Sequence, residues 1–509
     1  MRFFNRSMEK IFSSRYKKNE YFMQNPVAHQ EEVLQYLLKK ARKTEWGKKY
    51  NYKKITSSVE YAQNIPLSDY DDLKTYIERM IAGEKNILWP GKVKWFAKSS
   101  GTTSDKSKYI PVTTESLRKC HFKSSIDVYA HYIKSNPDSN FFKGKNLTLG
   151  GSHKVSHLSS KTRTGDLSAV LLHNLPFLTR FKNTPPSEIA LIPDFEEKME
   201  KIIKSTVNEN ITSMAGVPSW FLVLLKRVLE VTGKSNITEV WPNLEVFVHG
   251  GVNFEPYREQ YKKLIPNPNM RYINAYNASE GFFGMQNEPD KDDLLLMLDS
   301  GIYYEFIRMD EFYNKNRKAI NLSQVETGVN YALVISTNGG LWRYIIGDTI
   351  KFTSAYPFKF IITGRTKHFI NAFGEELIID NALNGINAAC KQTGSEVSEF
   401  TAGPVFMDAE SKGSHQWIIE FEKEPASVDE FAQILDKELQ NLNSDYEAKR
   451  YKNMTLTSLQ IVNAPKGTFY KWMKTRGKVG GQNKIPRLAN NREYLDSILK
   501  FMSEEKILK

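Results

Sequence analysis

The sequence predicts an α/β protein with a large N-terminal domain of mixed sheets and helices, residues 1–362, and a smaller α+β C-terminal domain, residues 363–509. Three observations predict it. The chain begins with apolar residues at helical spacing, changes from Leu244 onward to short β-rich runs, and ends in strand candidates that alternate with helix candidates. Its 509 residues are about three times a usual single-domain length, so more than one core is expected.

The opening MRFFNRSMEKIFSSRYKK alternates basic and aromatic residues and lacks the apolar run of roughly 7 to 15 residues of a signal peptide, so it reads as an amphipathic helix. From Asn25 to about Lys48, Val33, Leu34, Leu37 and Leu38 recur at helical spacing, and Leu73, Tyr76, Ile77 and Met80 repeat the pattern. ITSMAGVPSWFLVLLKRVLEVTG reads as a turn at Pro218, then a helix from about Ser219 to near Gly233. LEVFVHGG, MRYINAY, NYALVIS, LWRYII and FKFII are strand candidates, several closing on Gly, Asn, Ser or Asp, which deliver their ends to loops. A β run closing in Thr363-Gly364-Arg365 marks the domain boundary. Beyond it, QWIIEFE and LTSLQIV alternate with the helix candidates VDEFAQILDKELQNL and REYLDSILKFM.

The net charge of +13 would suit nucleic acid, an anionic membrane surface or a polyanionic substrate. The lysines are spread through the chain without a zinc-finger or RNP-type signature, so they read as solvated surface, and no nucleic-acid partner is expected. The longest strongly apolar run, Trp220 to Leu225, is far short of the roughly 20 residues that cross a bilayer, so no membrane span is expected. Two cysteines, Cys120 and Cys390, are too few for a disulfide framework, which points to a reducing, cytoplasmic setting. A soluble monomer is expected.

Five stretches could carry chemistry. Lys98-Ser99-Ser100-Gly101-Thr102-Thr103-Ser104-Asp105-Lys106-Ser107-Lys108 is a hydroxyl-rich loop that could cradle phosphate as readily as form a polar turn; no Gly-Lys-Ser/Thr closes it as in a Walker A loop. Tyr276-Asn277-Ala278-Ser279-Glu280-Gly281 sets a carboxylate at a strand end beside a glycine, where Glu280 could hold Mg²⁺ or merely cap the turn. Leu341 to Asp348 reads as a strand ending in Gly-Asp, whose carboxylate could accept from two ribose hydroxyls or serve the turn alone. Thr363 to Glu376 reads as a Gly-Arg turn, a short β run and an acidic start to a helix. Gly480-Gly481-Gln482-Asn483-Lys484-Ile485-Pro486-Arg487 places a lysine after a flexible loop.

In order along the chain, these five resemble the motif series of the adenylate-forming superfamily of acyl-CoA synthetases, adenylation domains and luciferases. Within it, SSGTTSDKSKYIPVT, the GVPSW helix entry, HGGVNFEPY leading to YNASEGFFG, and WRYIIGD are most similar to the Gretchen Hagen family of acyl acid amido synthetases. The resemblance implies ATP and Mg²⁺ as cofactors, a carboxylic acid and an amine as substrates, and a C-terminal domain that swings about a hinge near Gly364 and Arg365. It implies that Ser99, Ser100, Gly101, Thr102, Thr103 and Lys108, with Tyr276, Asn277, Ala278 and Ser279, contact the nucleotide. Glu280 would bind Mg²⁺, Asp348 the ribose, Arg365 the nucleotide at the hinge, and Lys484 the α-phosphate. Two departures stand out: Asp105 occupies the place of a second loop glycine, and Lys484 is placed mainly by its Pro-Arg neighbours.

An acid pocket walled by Val217, Trp220 and Phe221 and faced by His249 is expected, although a core helix and a structural histidine explain these residues equally well. A carboxylate attacking an α-phosphate brings two anions together, so the site needs cations and alignment more than a protein nucleophile. The rival readings are the same adenylation followed by transfer to coenzyme A, and a nucleotide-binding protein without turnover.

Overall fold

The computed structural model describes residues 2–100, 107–149, 156–192, 194–252, 254–288, 291–366, 369–407, 412–453, 455–475 and 487–504. They form two compact units. Met1–Ser99, Lys108–Gly251 and Lys262–Thr366 build the first; Val252–Tyr261 and Lys367–Lys509 belong to the second.

The N-terminal helices form where their apolar spacing and caps allow. Pro26–Ala41 begins with proline in its first turn and buries Val33, Leu34, Leu37 and Leu38. It stops seven residues before Lys48: Thr44 starts a separate helix, Glu45–Lys49, by accepting from the Gly47 N–H at 3.0 Å. Tyr70–Ile81 is held by an Asp69 capping box and buries Leu73, Ile77 and Met80, while Tyr76 is partly buried against the same core.

Among the described residues, a twelve-stranded sheet runs through the first unit. One wing is parallel, in the order Asn183–Thr184, Lys145–Thr148, Ile211–Gly216, Val246–His249 and Arg271–Ala278. The other wing is antiparallel: Arg271–Ala278 folds back through Gly281–Met285, followed outward by Leu294–Leu296, Phe358–Arg365, Tyr344–Ala355, Asn330–Thr337, Ile302–Arg308 and Ile320–Asn321. A second sheet sets Ser107–Val112 beside Trp95–Ser100, then Thr162–Gly165 and Ser156–Ser159.

The 341–348 run departs from the expected strand ending in Gly-Asp. The strand begins only at Tyr344 and continues to Ala355, so Gly347-Asp348 lies inside it. Arg343 has φ +43°, a left-handed conformation that breaks the extended chain there, and Gly347, at φ +97°, takes the second irregularity at low cost because it lacks a Cβ. The side chain of Arg343 explains its strain. It is 5% exposed, donates twice to Glu305 at 2.9 Å, and reaches the carbonyls of Ala62 at 2.8 Å and Ile65 at 2.5 Å.

In the second unit, Glu396–Val405, Ser414–Lys423 and Gln460–Ala464 form a three-stranded sheet. The first half of the expected strand LTSLQIV lies outside the sheet strand, which begins at Gln460; Leu456 makes only an isolated bridge, to Gly413. Val428–Leu442 is capped by Ser427, and Glu493–Glu504 buries Leu495, Ile498 and Met502. The acidic pair Glu375-Glu376 does not open a helix. Glu375 is fully buried, accepts from the Ala372 and Phe373 N–H groups and pairs with His415 at 2.8 Å; the helix Ile379–Thr393 starts only after the short strand Leu377–Ile378.

Arg343→Met is expected to lower stability by about 3–5 kcal/mol, because it leaves the Glu305 carboxylate in the core without its partner. Urea unfolding measures it, and Arg343→Met combined with Glu305→Leu should recover most of the loss. A single variant within about 1 kcal/mol of the parent would show that the pair contributes little.

Candidate functional site

Parallel strands commonly present ligand-binding residues at their C-terminal ends. Here Gly216, His249 and Asn274 stand level across three strands, Gly216 being paired with His249 and His249 with Asn274. The last strand runs on to Ala278, so Tyr276 and Asn277 project beyond its neighbours. Ser279 and Glu280 then make the turn of the hairpin with Gly281–Met285.

Tyr276, Asp348 and Arg365 meet in the first unit. Asp348 is paired with Arg365 across adjacent strands, and the Arg365 Nε–H donates to its Oδ1 at 2.6 Å. The Tyr276 hydroxyl donates to the other oxygen, Oδ2. Burial first, and then the charge of Asp348, push the Tyr276 hydroxyl well above its ordinary range and keep it a donor. The negative charge of Glu280 acts on the hydroxyls of both Tyr276 and Tyr344, and Arg365 opposes it at both. Tyr344 is fully buried, and its hydroxyl has no hydrogen-bond partner among the described residues. Tyr70 also acts on Tyr344, and its ring lies 5.7 Å from the Lys108 ammonium while its hydroxyl accepts from the Tyr109 N–H at 3.0 Å. Lys108, Tyr70, Tyr344, Glu280, Tyr276, Asp348 and Arg365 therefore form one connected neighbourhood.

Ser99 and Ser100 close the strand that leads into the hydroxyl-rich loop, and Ser99 is partly exposed. Gly101, Thr102, Thr103 and Lys484 lie outside the described residues. Arg487, just beyond Lys484, pairs with Glu399 and lies 4.7 Å over the Phe400 ring. Val217 is partly exposed and Trp220 is 9% exposed, whereas Phe221 is wholly buried, its ring 5.1 Å from Phe247. Phe221 also fills the space where a Cβ on Gly216 would stand, at 2.8 Å, so only glycine suits the end of that strand. His249 is buried with its ring 5.6 Å from Phe247.

Three residues of this region escaped the sequence reading. Tyr70 follows the Asp69 cap, and Tyr344 stands inside WRYIIGD without a signal that separates it from a core tyrosine. His121 belongs to no motif, yet its Nδ1 lies 2.9 Å from the Asn277 Oδ1. Burial lowers its pKa to about 4, so the ring is neutral at neutral pH.

Comparisons with known proteins agree on one family. Family models match in chain order: the GH3 family N-terminal domain over residues 15–270, the GH3 family central domain over 295–365 and the GH3 family C-terminal domain over 380–493. The indole-3-acetic acid-amido synthetase GH3.3 of Arabidopsis thaliana is 24% identical over 91% of this chain and 89% of its own length. The jasmonoyl-L-amino acid synthetase JAR4 of Nicotiana attenuata is 23% identical over 87% of each. Among solved structures, the GH3.15 acyl acid amido synthetase matches with a TM-score of 0.61 at 18% identity, covering 96% of both chains. A 2-hydroxyisobutyryl-CoA ligase matches with a TM-score of 0.53 at 12% identity, over 98% of this chain and 92% of its own. These two structures share the fold of this chain.

Burial sets an acid sensitivity. His121 and His131 both have a folded pKa of about 4 against 6.5 when exposed. Between those values the unfolded chain binds protons that the folded chain refuses, so stability falls as pH drops through the window, by up to about 3 kcal/mol per histidine. His131→Phe keeps a ring beside Tyr16, 4.8 Å away in the parent, and should flatten the fall in urea midpoint between pH 6.5 and about 4.5. An unchanged slope would remove His131 as a source.

Proposed function

The chain belongs to the GH3 family, and on that premise we propose that it is an acyl acid amido synthetase: with ATP it converts a small carboxylic acid to an acyl adenylate, then passes the acyl group to the amine of an amino acid. The observation that carries this reading is the meeting of three separate sequence motifs at Asp348, with Tyr276 and Arg365 on its two oxygens and Glu280 beside them.

In the first half-reaction, the acid's carboxylate attacks the α-phosphate of ATP and pyrophosphate leaves. Asp348, already oriented by Arg365 and Tyr276, accepts from the ribose hydroxyls; Arg365 and Lys108 offset phosphate charge, with Lys484 at the α-phosphate. Ser99, Ser100, Gly101, Thr102 and Thr103 line the phosphate chain. Among the described residues no three His, Cys, Asp or Glu side chains gather as a metal cage. Glu280 as a single protein carboxylate fits Mg²⁺, which takes most of its ligands from phosphate oxygens and water. That ion would neutralise phosphate charge. In the second half-reaction the amine attacks the acyl carbonyl, the phosphate–acyl bond breaks and AMP departs. The C-terminal unit rotates about residues near Gly364 and Arg365 between the two steps. Val217, Trp220 and His249 border the acid, and Phe221 supports them from the core. We place the protein in the cytoplasm as a monomer, consistent with Cys120 and Cys390 both being free thiols.

Two paired substitutions separate the nucleotide roles. Asp348→Ala is expected to weaken ATP binding by roughly 1 to 3 kcal/mol, through loss of a charged acceptor. Lys484→Ala should leave ATP affinity nearly intact and slow adenylate formation by about 10² or more, because its charge acts mainly in the transition state. Calorimetry and pyrophosphate release measure the two; unchanged ATP affinity in Asp348→Ala, or unchanged turnover in Lys484→Ala, returns that residue to a structural role.

The acceptor is decided by product. With ATP, Mg²⁺, a panel of aromatic and aliphatic acids, and both amino acids and coenzyme A supplied, mass spectrometry should find an N-acyl amino acid. Thioester as the only product would make the protein an acyl-CoA ligase on the same fold.

A further inference from the structure

The helix that follows the strand Ser107–Val112 contains an insertion. Thr113 caps its start by accepting from the Ser116 N–H at 2.9 Å, but from Leu117 to His121 the chain takes a π-turn, with the Phe122 N–H bonded to the Leu117 carbonyl five residues back. Such turns add a residue to the helix and are frequent at functional sites. Here the wider turn presents two consecutive side chains to the hairpin that carries Glu280. The Phe282 N–H donates to the Cys120 Sγ at 3.2 Å, and His121 Nδ1 meets the Asn277 Oδ1 at 2.9 Å. Phe282 and Asn277 are themselves paired across the hairpin. The π-turn thus grips both members of one cross-strand pair.

Asn277 occupies a particular place in this arrangement. Successive side chains of a strand point to opposite faces. Tyr276 faces Asp348 on one side; Asn277, three residues before Glu280, faces His121 on the other and is partly exposed at the end of the strand. An amide oxygen can only accept, so the neutral ring of His121 must carry its proton on Nδ1 to bond it. With Oδ1 engaged in this way, the Asn277 NH₂ has no hydrogen-bond partner among the described residues, on a side chain that is partly exposed at the end of the strand.

We propose that Asn277 is a substrate-positioning residue which donates an Nδ2–H to the carboxyl group of the acid, and that His121 is a positioning residue that fixes the direction of its amide. The proposal rests on the amido synthetase reading above. Tyr276 serves the nucleotide through Asp348, and Asn277, the next residue, orients the acid for attack on the α-phosphate.

The test uses the full-length enzyme with ATP, Mg²⁺ and benzoate, indole-3-acetate and hexanoate as acid probes, read by pyrophosphate release. Asn277→Ala and His121→Phe are expected to raise KM for the acid about tenfold or more while the Kd for ATP stays within about twofold. His121→Asn puts an amide N–H at the former Nδ1 position and should restore the acid KM to within about threefold of the parent. Imidazole ¹⁵N shifts, assigned through His121→Asn, should show the Nδ1–H tautomer in the parent. An unchanged acid KM, an equal rise in ATP Kd, no rescue by His121→Asn, or the Nε2–H tautomer would each overturn the proposal. Parent enzyme that releases no pyrophosphate with any acid would overturn the functional reading and this proposal with it; parent turnover with insensitive variants would overturn only the proposal.

Discussion

The first unit is organised around the buried ion pair of Arg343 and Glu305. Both side chains are nearly inaccessible, 6% and 3% exposed, and burial pushes the Glu305 carboxyl above its ordinary value while Arg343 opposes that rise. A charge in such a place persists only if every donor is used. Arg343 therefore dictates what surrounds it: Glu305 in the strand Ile302–Arg308, the carbonyls of Ala62 and Ile65 at the end of an N-terminal helix, and its own left-handed backbone. The adjoining backbone follows. The Ser68 N–H bonds the Arg343 carbonyl at 3.0 Å, and the Ile345 N–H returns to the Ser68 carbonyl at 2.8 Å, so Ser68 adds a one-residue rail at the start of the strand that holds Asp348.

That rail ends where the site begins. Tyr70 starts the next helix two residues after Ser68 and is the link between Lys108 and Tyr344. The candidate site is consequently a set of buried and half-buried tyrosines with carboxylates and cations at its edges. Burial keeps the hydroxyls of Tyr276 and Tyr344 protonated; Tyr276 is thereby a fixed donor to Asp348, while the Tyr344 hydroxyl has no partner among the described residues. This suits a reaction in which phosphate charge moves and no protein atom is covalently modified.

The hairpin Arg271–Met285 joins two environments. One face of its first strand reaches Asp348 through Tyr276, and the other reaches the π-turn through Asn277. Cys120 has a packing role in this junction: burial pushes its thiol pKa up to about 12, so it accepts the Phe282 N–H as an inert, uncharged group. Phe221 has a packing role two strands away, where its ring fills the volume that Gly216 leaves open and lies against Phe247.

The sequence by itself determined the element types, because helical spacing and β-branched runs act locally: Val428–Leu442 and Pro218–Thr232 fall where periodicity, Ser427 and Gly233 place them. It also carried the order of motifs that resembles the family's, including Glu280 at a strand end and Asp348 and Arg365 as separate candidates. The tertiary structure alone decided that Asp348 lies within a strand against Arg365, that Glu375 is a buried backbone acceptor rather than the start of a helix, and that His121 meets Asn277 across 156 residues of sequence. Each of these involves a contact between distant segments, Asp348 with Arg365, Glu375 with His415 and His121 with Asn277, because a buried polar group needs a partner that only another strand or helix supplies.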